Sequence, residues 1–464
     1  MMQEVKVLVV GGGAAGLAAA AELEARGIDC HLVEAQARLG GRIDSILQQD
    51  GMPFERGAQM INGDMSAVLK LAAEANLRIA PVPAAGRSVC VLNNEVTSRD
   101  AFISAEELNE HLYDQIYDLS SASGIMHAAS AAFRWWSTPW ESAGEAWRKA
   151  KWWTSRRRAP AASLAAAIDG LALCKEDHAI ARTMICEQYG ARPEELDAKS
   201  IKAGLAAYAS ERSDLEFQFP DGMQRITDQL AAKLSRQPTL NTPATHIIGD
   251  EDRVQVLSKS CSWTSSRGIV AVPPPVARKI EIKVRGASNP RQFLQAFEAG
   301  DLIKTTLTYG DAFWRKTGLS GAVTFAEPAG LEVVDASYDT QHDGRLAAFL
   351  GGPEARRRAK LKPLERQQLL LADLKRAFGP DAGKPQQVDV AIWVNDEWSG
   401  GGYNATIREG RLSAAVNQLV RFPGPVRFAC AELDNSFAGY VEGAIRSGRR
   451  AAREVAADLQ TASL

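Results

Sequence analysis

The residues most suited to chemistry near the start of the chain are Gly11-Gly12-Gly13-Ala14-Ala15-Gly16, a G-x-G-x-x-G run, and Glu34, eighteen residues beyond Gly16. A first glycine permits a tight turn, a second lets backbone approach a pyrophosphate, and a third lets helix and strand pack closely. An acid at this distance accepts hydrogen bonds from ribose hydroxyls. The flanking elements are those such a cradle needs. Val5-Lys6-Val7-Leu8-Val9-Val10 is a β-branched run suited to a buried parallel strand. Leu17 to Arg26 is an alanine- and leucine-rich helix that Gly27 ends, and a second strand runs from Ile28 to Val33. The helix N-terminus offers free N–H groups and a positive dipole end to phosphates. Strand, turn, helix, strand and acid in register predict a dinucleotide-binding βαβ unit.

The next residues select the dinucleotide. Arg38-Leu39-Gly40-Gly41-Arg42 resembles the R-x-G-G-R extension of glutathione-reductase-type FAD families, in which the final arginine approaches the pyrophosphate with a bidentate guanidinium. FAD is therefore expected rather than a nicotinamide cofactor.

Whole-chain properties set the bounds. At 464 residues the chain exceeds one compact core, so two or three domains are expected. The formal net charge of −2 argues against a nucleic-acid partner. The six cysteines include no C-x-x-C pair and have no histidines at zinc-type spacing, so no metal site is expected and buried free thiols in a reducing compartment, the cytoplasm, are the simplest account. No apolar run reaches transmembrane length, and the N-terminal apolar run reads as a strand rather than a signal peptide.

Four distant segments join these features in one resemblance. Glu55-Arg56-Gly57-Ala58-Gln59-Met60-Ile61-Asn62-Gly63, Leu302-Ile303-Lys304 followed by Phe313-Trp314-Arg315-Lys316, Ser399-Gly400-Gly401-Gly402-Tyr403, and Phe428-Ala429-Cys430-Ala431-Glu432 leading to Ser436 through Ala444 are similar to motifs of the flavin amine oxidases, the monoamine and polyamine oxidases. The resemblance implies an α/β fold: a Rossmann-type FAD-binding domain assembled from residues 1–80, 215–290 and 388–464, a helical part of the substrate domain over 85–210, and a mixed α/β part over 291–385. It implies FAD contacts from Gly11, Gly13, Ala15, Gly16, Glu34, Arg42, the loop Gly57, Ala58, Gln59 and Met60, Ala244 at the adenine, Trp393 near the flavin ring, Glu432 and Val441. Lys304 matches a lysine holding a water at flavin N5, and Tyr403 and Tyr440 match the two rings flanking the substrate amine. Gly402 stands where monoamine oxidases carry the cysteine that attaches flavin covalently, so non-covalent FAD is expected. Gln36 and Cys430 replace a usual arginine and glycine. The membrane-anchoring helix of animal monoamine oxidases is expected to be absent, since the chain stops at Leu464 soon after a charged helix.

The implied reaction is oxidation at the carbon bearing an amine, by hydride transfer to flavin N5, giving an imine and then a carbonyl. Oxygen or another acceptor would close the cycle, oxygen yielding hydrogen peroxide. A small-molecule amine is the expected partner, and a homo-oligomer the expected assembly. The alternatives are an L-amino acid oxidase or an FAD-dependent desaturase or dehydrogenase on the same scaffold, and a non-catalytic FAD-fold binding protein. An amino acid oxidase needs a cation for the substrate carboxylate, and Gly57-Ala58-Gln59-Met60 supplies none. Six of the ten tryptophans lie between Trp135 and Trp153 among basic residues. Helical packing, a wall of the substrate channel, and peripheral membrane contact by 133–158 all suit that composition. The segment Pro353 to Arg376 reads as an exposed basic helix.

Overall fold

The apolar run after Glu4 becomes the central strand of a sheet in the computed structural model, which describes residues 2–48, 51–115, 163–212, 215–338 and 344–461. Met2–Val10 runs parallel to Cys30–Val33 on one side and to Ser262–Val270 on the other. Val5, Val7, Leu8, Val9 and Val10 are all buried, as a strand covered on both faces requires. Beyond Ser262–Val270 lie the antiparallel hairpin Ala244–Asp250 and Arg253–Ser258, then Glu281–Val284. Val426–Phe428 pairs with the far half of Ser262–Val270. One sheet thus draws strands from widely separated stretches of chain, and the fold is α/β. Ala14–Ala25 packs on Val441–Thr461 so closely that a Cβ on Gly448 would lie 2.0 Å from the Ala15 carbonyl oxygen.

A second seven-stranded sheet runs in the order Gln387–Ile392, Leu302–Tyr309, Gly344–Gly351, Leu331–Asp335, Leu319–Phe325, Arg87–Leu92 and Glu95–Ser98. Leu302–Tyr309 is paired on both edges and buried along its whole length. Three features differ from the sequence reading. Residues 87–98, placed in a helical stretch, form an edge hairpin. Asn93 and Asn94 turn it with φ of 49° and 64°, the two left-handed positions of the tightest hairpin turn. Residues 387–392 join this second sheet rather than the first. The basic segment read as one exposed helix is two helices, Gly352–Ala359 and Pro363–Phe378, with an inner face of Ala355, Leu370, Leu374 and Ala377. Arg358 on that face is buried and paired with Glu354 and Asp373.

The rest of the expected helical stretch is helical where described: Ala105–Gln115, Leu164–Gly170, Lys175–Tyr189 and Ala198–Ala207. The tryptophan-rich segment 135–153 and most of 133–158 lie outside the described residues. Among the described residues no helix is long and apolar enough to cross a membrane, and no group of three potential ligands could hold a metal ion. All six cysteines are free, but Cys174 and Cys261 are exposed rather than buried. Cys174 caps Lys175–Tyr189, its Sγ accepting from Asp177 N.

Candidate active site

A single continuous cavity of about 1620 Å³ reaches from the glycine turn to the second sheet. Gly11 turns the chain at φ +109°, and its missing Cβ leaves room for Ala271 O, which would otherwise lie 2.7 Å away. Gly16 packs beneath that turn, where a Cβ would meet Gly11 O at 1.9 Å. At Gly13 a Cβ would make only ordinary contacts, with Gly40 O and Gly41 Cα both at 3.9 Å. Gly13 also caps Ala14–Ala25 without a side-chain bond, and no acid occupies the first turn, so the N–H groups there stay free for an anion. Gly11, Gly13 and Ala15 line the cavity; Gly16 does not, because its part is packing.

Glu34 also lines it, fixed by bonds from Gly12 N at 2.5 Å and Gln36 N at 2.7 Å. Burial pushes the Glu34 carboxyl above its ordinary range in spite of these bonds. Thr242 N donates to Glu34 O at 2.8 Å and Asn241 N to Gln36 O at 2.9 Å, which brings Ala244 to the same end of the cavity.

Arg42 and Glu432, read separately from the sequence, form one bidentate pair, with Nη1 to Oε1 at 2.7 Å and Nη2 to Oε2 at 3.0 Å. Arg42 Nη1 also donates to Tyr403 O at 2.8 Å, and Ala405 N donates to Glu432 Oε1 at 3.0 Å. Burial alone would lift the Glu432 carboxyl, but Arg42 holds it below the usual range. The pair sews the first turn to the Gly402–Tyr403 segment, hundreds of residues away. Cys430 and Val441, the latter opening the C-terminal helix, line the same wall.

Lys304 is 2% exposed. Its Nζ donates to Gly57 O and to Gln59 Oε1, both at 2.8 Å, and lies 5.3 Å from the centre of the Phe349 ring. Gln59 Nε2 in turn donates to Gln218 Oε1 at 3.0 Å. Burial pulls the Lys304 ammonium down to about 8, while the carboxylates of Glu55 and Asp389 work to keep it charged. Burial pushes the Glu55 carboxyl up to about 7. Gly57, Ala58, Gln59 and Met60 line the cavity beside Lys304. Gly57 must be glycine there, since a Cβ would lie 2.0 Å from Arg42 O.

Tyr403 and Tyr440 line the same cavity. Tyr403 follows a cis peptide from Gly402 and packs against Phe349 at 5.9 Å. Tyr440 packs against Tyr208 at 5.3 Å and 30°. Trp393 is buried at the cavity edge, with Nε1 donating to Arg56 O at 2.8 Å. The Tyr403 hydroxyl donates to Glu187 Oε1 on Lys175–Tyr189. Burial and the nearby Glu332 charge push the Glu187 carboxyl up to about 8, and burial also raises that of Glu332.

All the sequence-derived site residues except Gly16 therefore meet on one cavity wall. Glu55, Glu187, Tyr208, Gln218, Glu332 and Phe349 were missed. One of them left a local signal: Glu187 falls at helical spacing after the buried Ile180 and Met184, an acid on an apolar face. The cavity exceeds the few hundred to about 1,000 Å³ of an ordinary small-ligand site, leaving room for FAD and a substrate together. Asn404 Oδ1 and Thr406 Oγ1 are buried on its wall without protein partners, as expected of groups that complete their bonds to a ligand. The residues present fit FAD.

The family profile described as flavin containing amine oxidoreductase matches residues 14–456. An L-amino acid dehydrogenase of Synechocystis sp. is 27% identical over 97% of this chain and 94% of its own length. A flavin-containing amine oxidase of Oncorhynchus mykiss is 26% identical over 97% of this chain and 85% of its own. Putrescine oxidase bound to putrescine superposes with a TM-score of 0.80 at 25% identity, covering 98% of this chain and 100% of that one. Cyclohexylamine oxidase from Brevibacterium oxydans shares the fold, with a TM-score of 0.81 at 23% identity over 98% of this chain and 99% of that one.

Proposed function

This chain belongs to the flavin-containing amine oxidoreductases, FAD-dependent enzymes acting on CH–NH groups, and we propose that it oxidises a small amine at the carbon bearing nitrogen, passing electrons to oxygen. The carrying observation is that Lys304, Tyr403 and Tyr440 share one cavity with the glycine cradle and the Arg42–Glu432 pair. Bound FAD supplies the acceptor for the hydride that leaves carbon, so that the substrate becomes an imine that water hydrolyses, and its reoxidation by oxygen gives hydrogen peroxide.

The protein's part is positioning and electrostatics. Tyr403 and Tyr440 offer ring faces that orient an amine, and Arg42 pins Tyr403 by its carbonyl. Phe349 and Trp393 keep that end apolar. Lys304, when charged, stabilises the negative charge that develops as oxygen is reduced. Gly11, Gly13, Ala15, Glu34 and Ala244 hold the nucleotide end, and Gly402 leaves the flavin without a covalent tether. The free thiols support a reducing compartment, the cytoplasm.

The Synechocystis relative gives an amino acid substrate and a non-oxygen acceptor as the second reading. Against it, the arginines Arg42, Arg56 and Arg212 that line the described wall are each paired with a carboxylate. Anaerobic bleaching of the bound flavin by amines and by amino acids, with peroxide release in air, tests the proposal. Bleaching by amino acids alone overturns it, and bleaching by amines without peroxide in air replaces oxygen with another acceptor.

A further inference from the structure

The helices Gly352–Ala359 and Pro363–Phe378 close a second, much smaller cavity against the strand Leu302–Tyr309. Successive side chains of a strand face opposite ways. Ile303 and Thr305 accordingly line this cavity, while Lys304 between them lines the cofactor cavity. The small cavity measures about 20 Å³, above the roughly 10–15 Å³ that one water-sized occupant needs. The residues around it therefore surround a single small occupant.

Most of that lining is apolar, but Arg358 and Arg366 belong to it, with Thr305 and Gln367. Arg358 is 4% exposed. Its Nε donates to Glu354 Oε1 at 2.7 Å and its Nη2 lies 2.8 Å from Asp373 Oδ2, yet its Nη1 has no partner. Arg366 Nη1 donates to Leu361 O at 3.2 Å, while its buried Nε has no partner. A buried N–H without an acceptor is costly, and more so on a charged group. Among the described residues the acids of this cluster are already shared. Glu354 pairs with Arg357 as well as Arg358, and Asp373 pairs with Arg376 as well as Arg358. No carboxylate pairs with Arg366, so positive charge is in excess around the cavity.

Both open groups are donors, and that separates the two occupants of suitable size. A water accepting from both must turn its own hydrogens to Thr305, to Gln367 or onto the apolar wall. A monatomic anion accepts from every side and offsets the excess charge.

We propose that one chloride ion occupies this cavity, accepting from Arg358 Nη1 and Arg366 Nε. The ion ties both helices to the strand that carries Lys304, and it binds the folded chain but not the unfolded one. The site is separate from the cofactor cavity and stands whatever substrate is oxidised.

The test uses the holoenzyme, with FAD in fixed excess, exchanged into sodium gluconate, whose anion is too large for the cavity. Sodium chloride or bromide is then titrated in at constant ionic strength. The melting temperature should climb with the logarithm of chloride beyond its Kd, by about 1–3 °C per tenfold. Bromide should replace chloride, and a crystal grown in bromide should show an anomalous peak between Arg358 and Arg366. Arg366→Gln should raise the chloride concentration needed for the response at least about tenfold and leave the flavin spectrum unchanged. A melting temperature indifferent to chloride, a response unchanged in Arg366→Gln, or a water there with no anomalous peak overturns the inference. If Arg366→Gln does not fold, the wild-type titration and anomalous map decide it.

Discussion

Lys304 is a cation kept where water cannot screen it, and its charge depends on its neighbours. Burial pulls its ammonium down to about 8, and Glu55 and Asp389 oppose that pull. The cation is therefore complete well below that pH and lost above it. If its work is to stabilise charge during reoxidation, the rate constant for reaction of the reduced enzyme with oxygen should fall as pH rises through about 8. Lys304→Met should lower that rate constant roughly 100-fold and flatten its pH profile, with a smaller effect on anaerobic reduction by substrate. Glu55→Gln removes a charge that favours the ammonium, so the inflection should move to lower pH. Stopped-flow reoxidation from pH 6 to 10 reads all three, and an inflection that stays in Lys304→Met assigns the titration elsewhere. At this scale the sequence was legible only by resemblance. Nothing in Leu302-Ile303-Lys304 distinguishes a buried lysine from a surface one, because the strands that bury it, Gly344–Gly351 and Gln387–Ile392, are remote in the chain. Glu332 was unreadable for the same reason: its acid faces a wall that only the fold assembles.

Elements were most legible where backbone sterics act locally. The glycine turn dictated its strand and helix because Gly11 and Gly16 exclude any Cβ, whereas Gly13 merely leaves space. The two kinds of glycine should therefore fail differently. Gly16→Ala forces a contact at 1.9 Å with Gly11 O, so it should lower the melting temperature of the FAD-free protein. Gly13→Ala meets nothing nearer than 3.9 Å, so it should melt like wild type without FAD and bind FAD more weakly. Equal loss of apo stability in both variants would remove Gly13 from the phosphate cradle. The hairpin at 87–98 was legible in principle, since Asn93-Asn94 between β-branched runs is a turn signal, yet the helical expectation for 85–210 overrode it. Glu442 was not legible. It is fully buried on the C-terminal helix and accepts from Ala67 N and Val68 N, capping Ser66–Glu74 from the far end of the chain. Glu442→Ala should cost about 2 kcal/mol by chemical denaturation, since it strands buried N–H groups at a helix start.

For the whole molecule, the cofactor cavity is where distant parts of the chain come together. Its wall takes Gly13 and Arg42 from the first stretch, Ala244 from the second, Lys304 from the other sheet, and Tyr403, Glu432 and Val441 from the last. A ligand that spans this wall binds the folded state and not the unfolded chain, so its free concentration sets the apparent stability. That coupling tests how the flavin is held. A Cβ at Gly402 would sit 3.1 Å from Trp393 Cβ and 3.2 Å from Leu302 Cδ2, so glycine both denies a thiol anchor and fits the space. Flavin held only by the cradle and the Arg42–Glu432 wall should leave with the precipitated protein's supernatant after acid treatment. Added FAD should then stabilise the apo protein by about 2.7 kcal/mol at a hundred times Kd and about 4.1 at a thousand times. The melting temperature should climb with the logarithm of FAD and keep climbing beyond stoichiometry. A covalent flavin behaves otherwise: colour stays with the pellet, and excess FAD does nothing to the melting temperature. Arg42→Ala separates the wall from the tether. It leaves Glu432 without its buried partner, so it should weaken FAD binding and also lower the melting temperature without FAD. Gly13→Ala, acting on the cradle alone, should reduce only the FAD-dependent part.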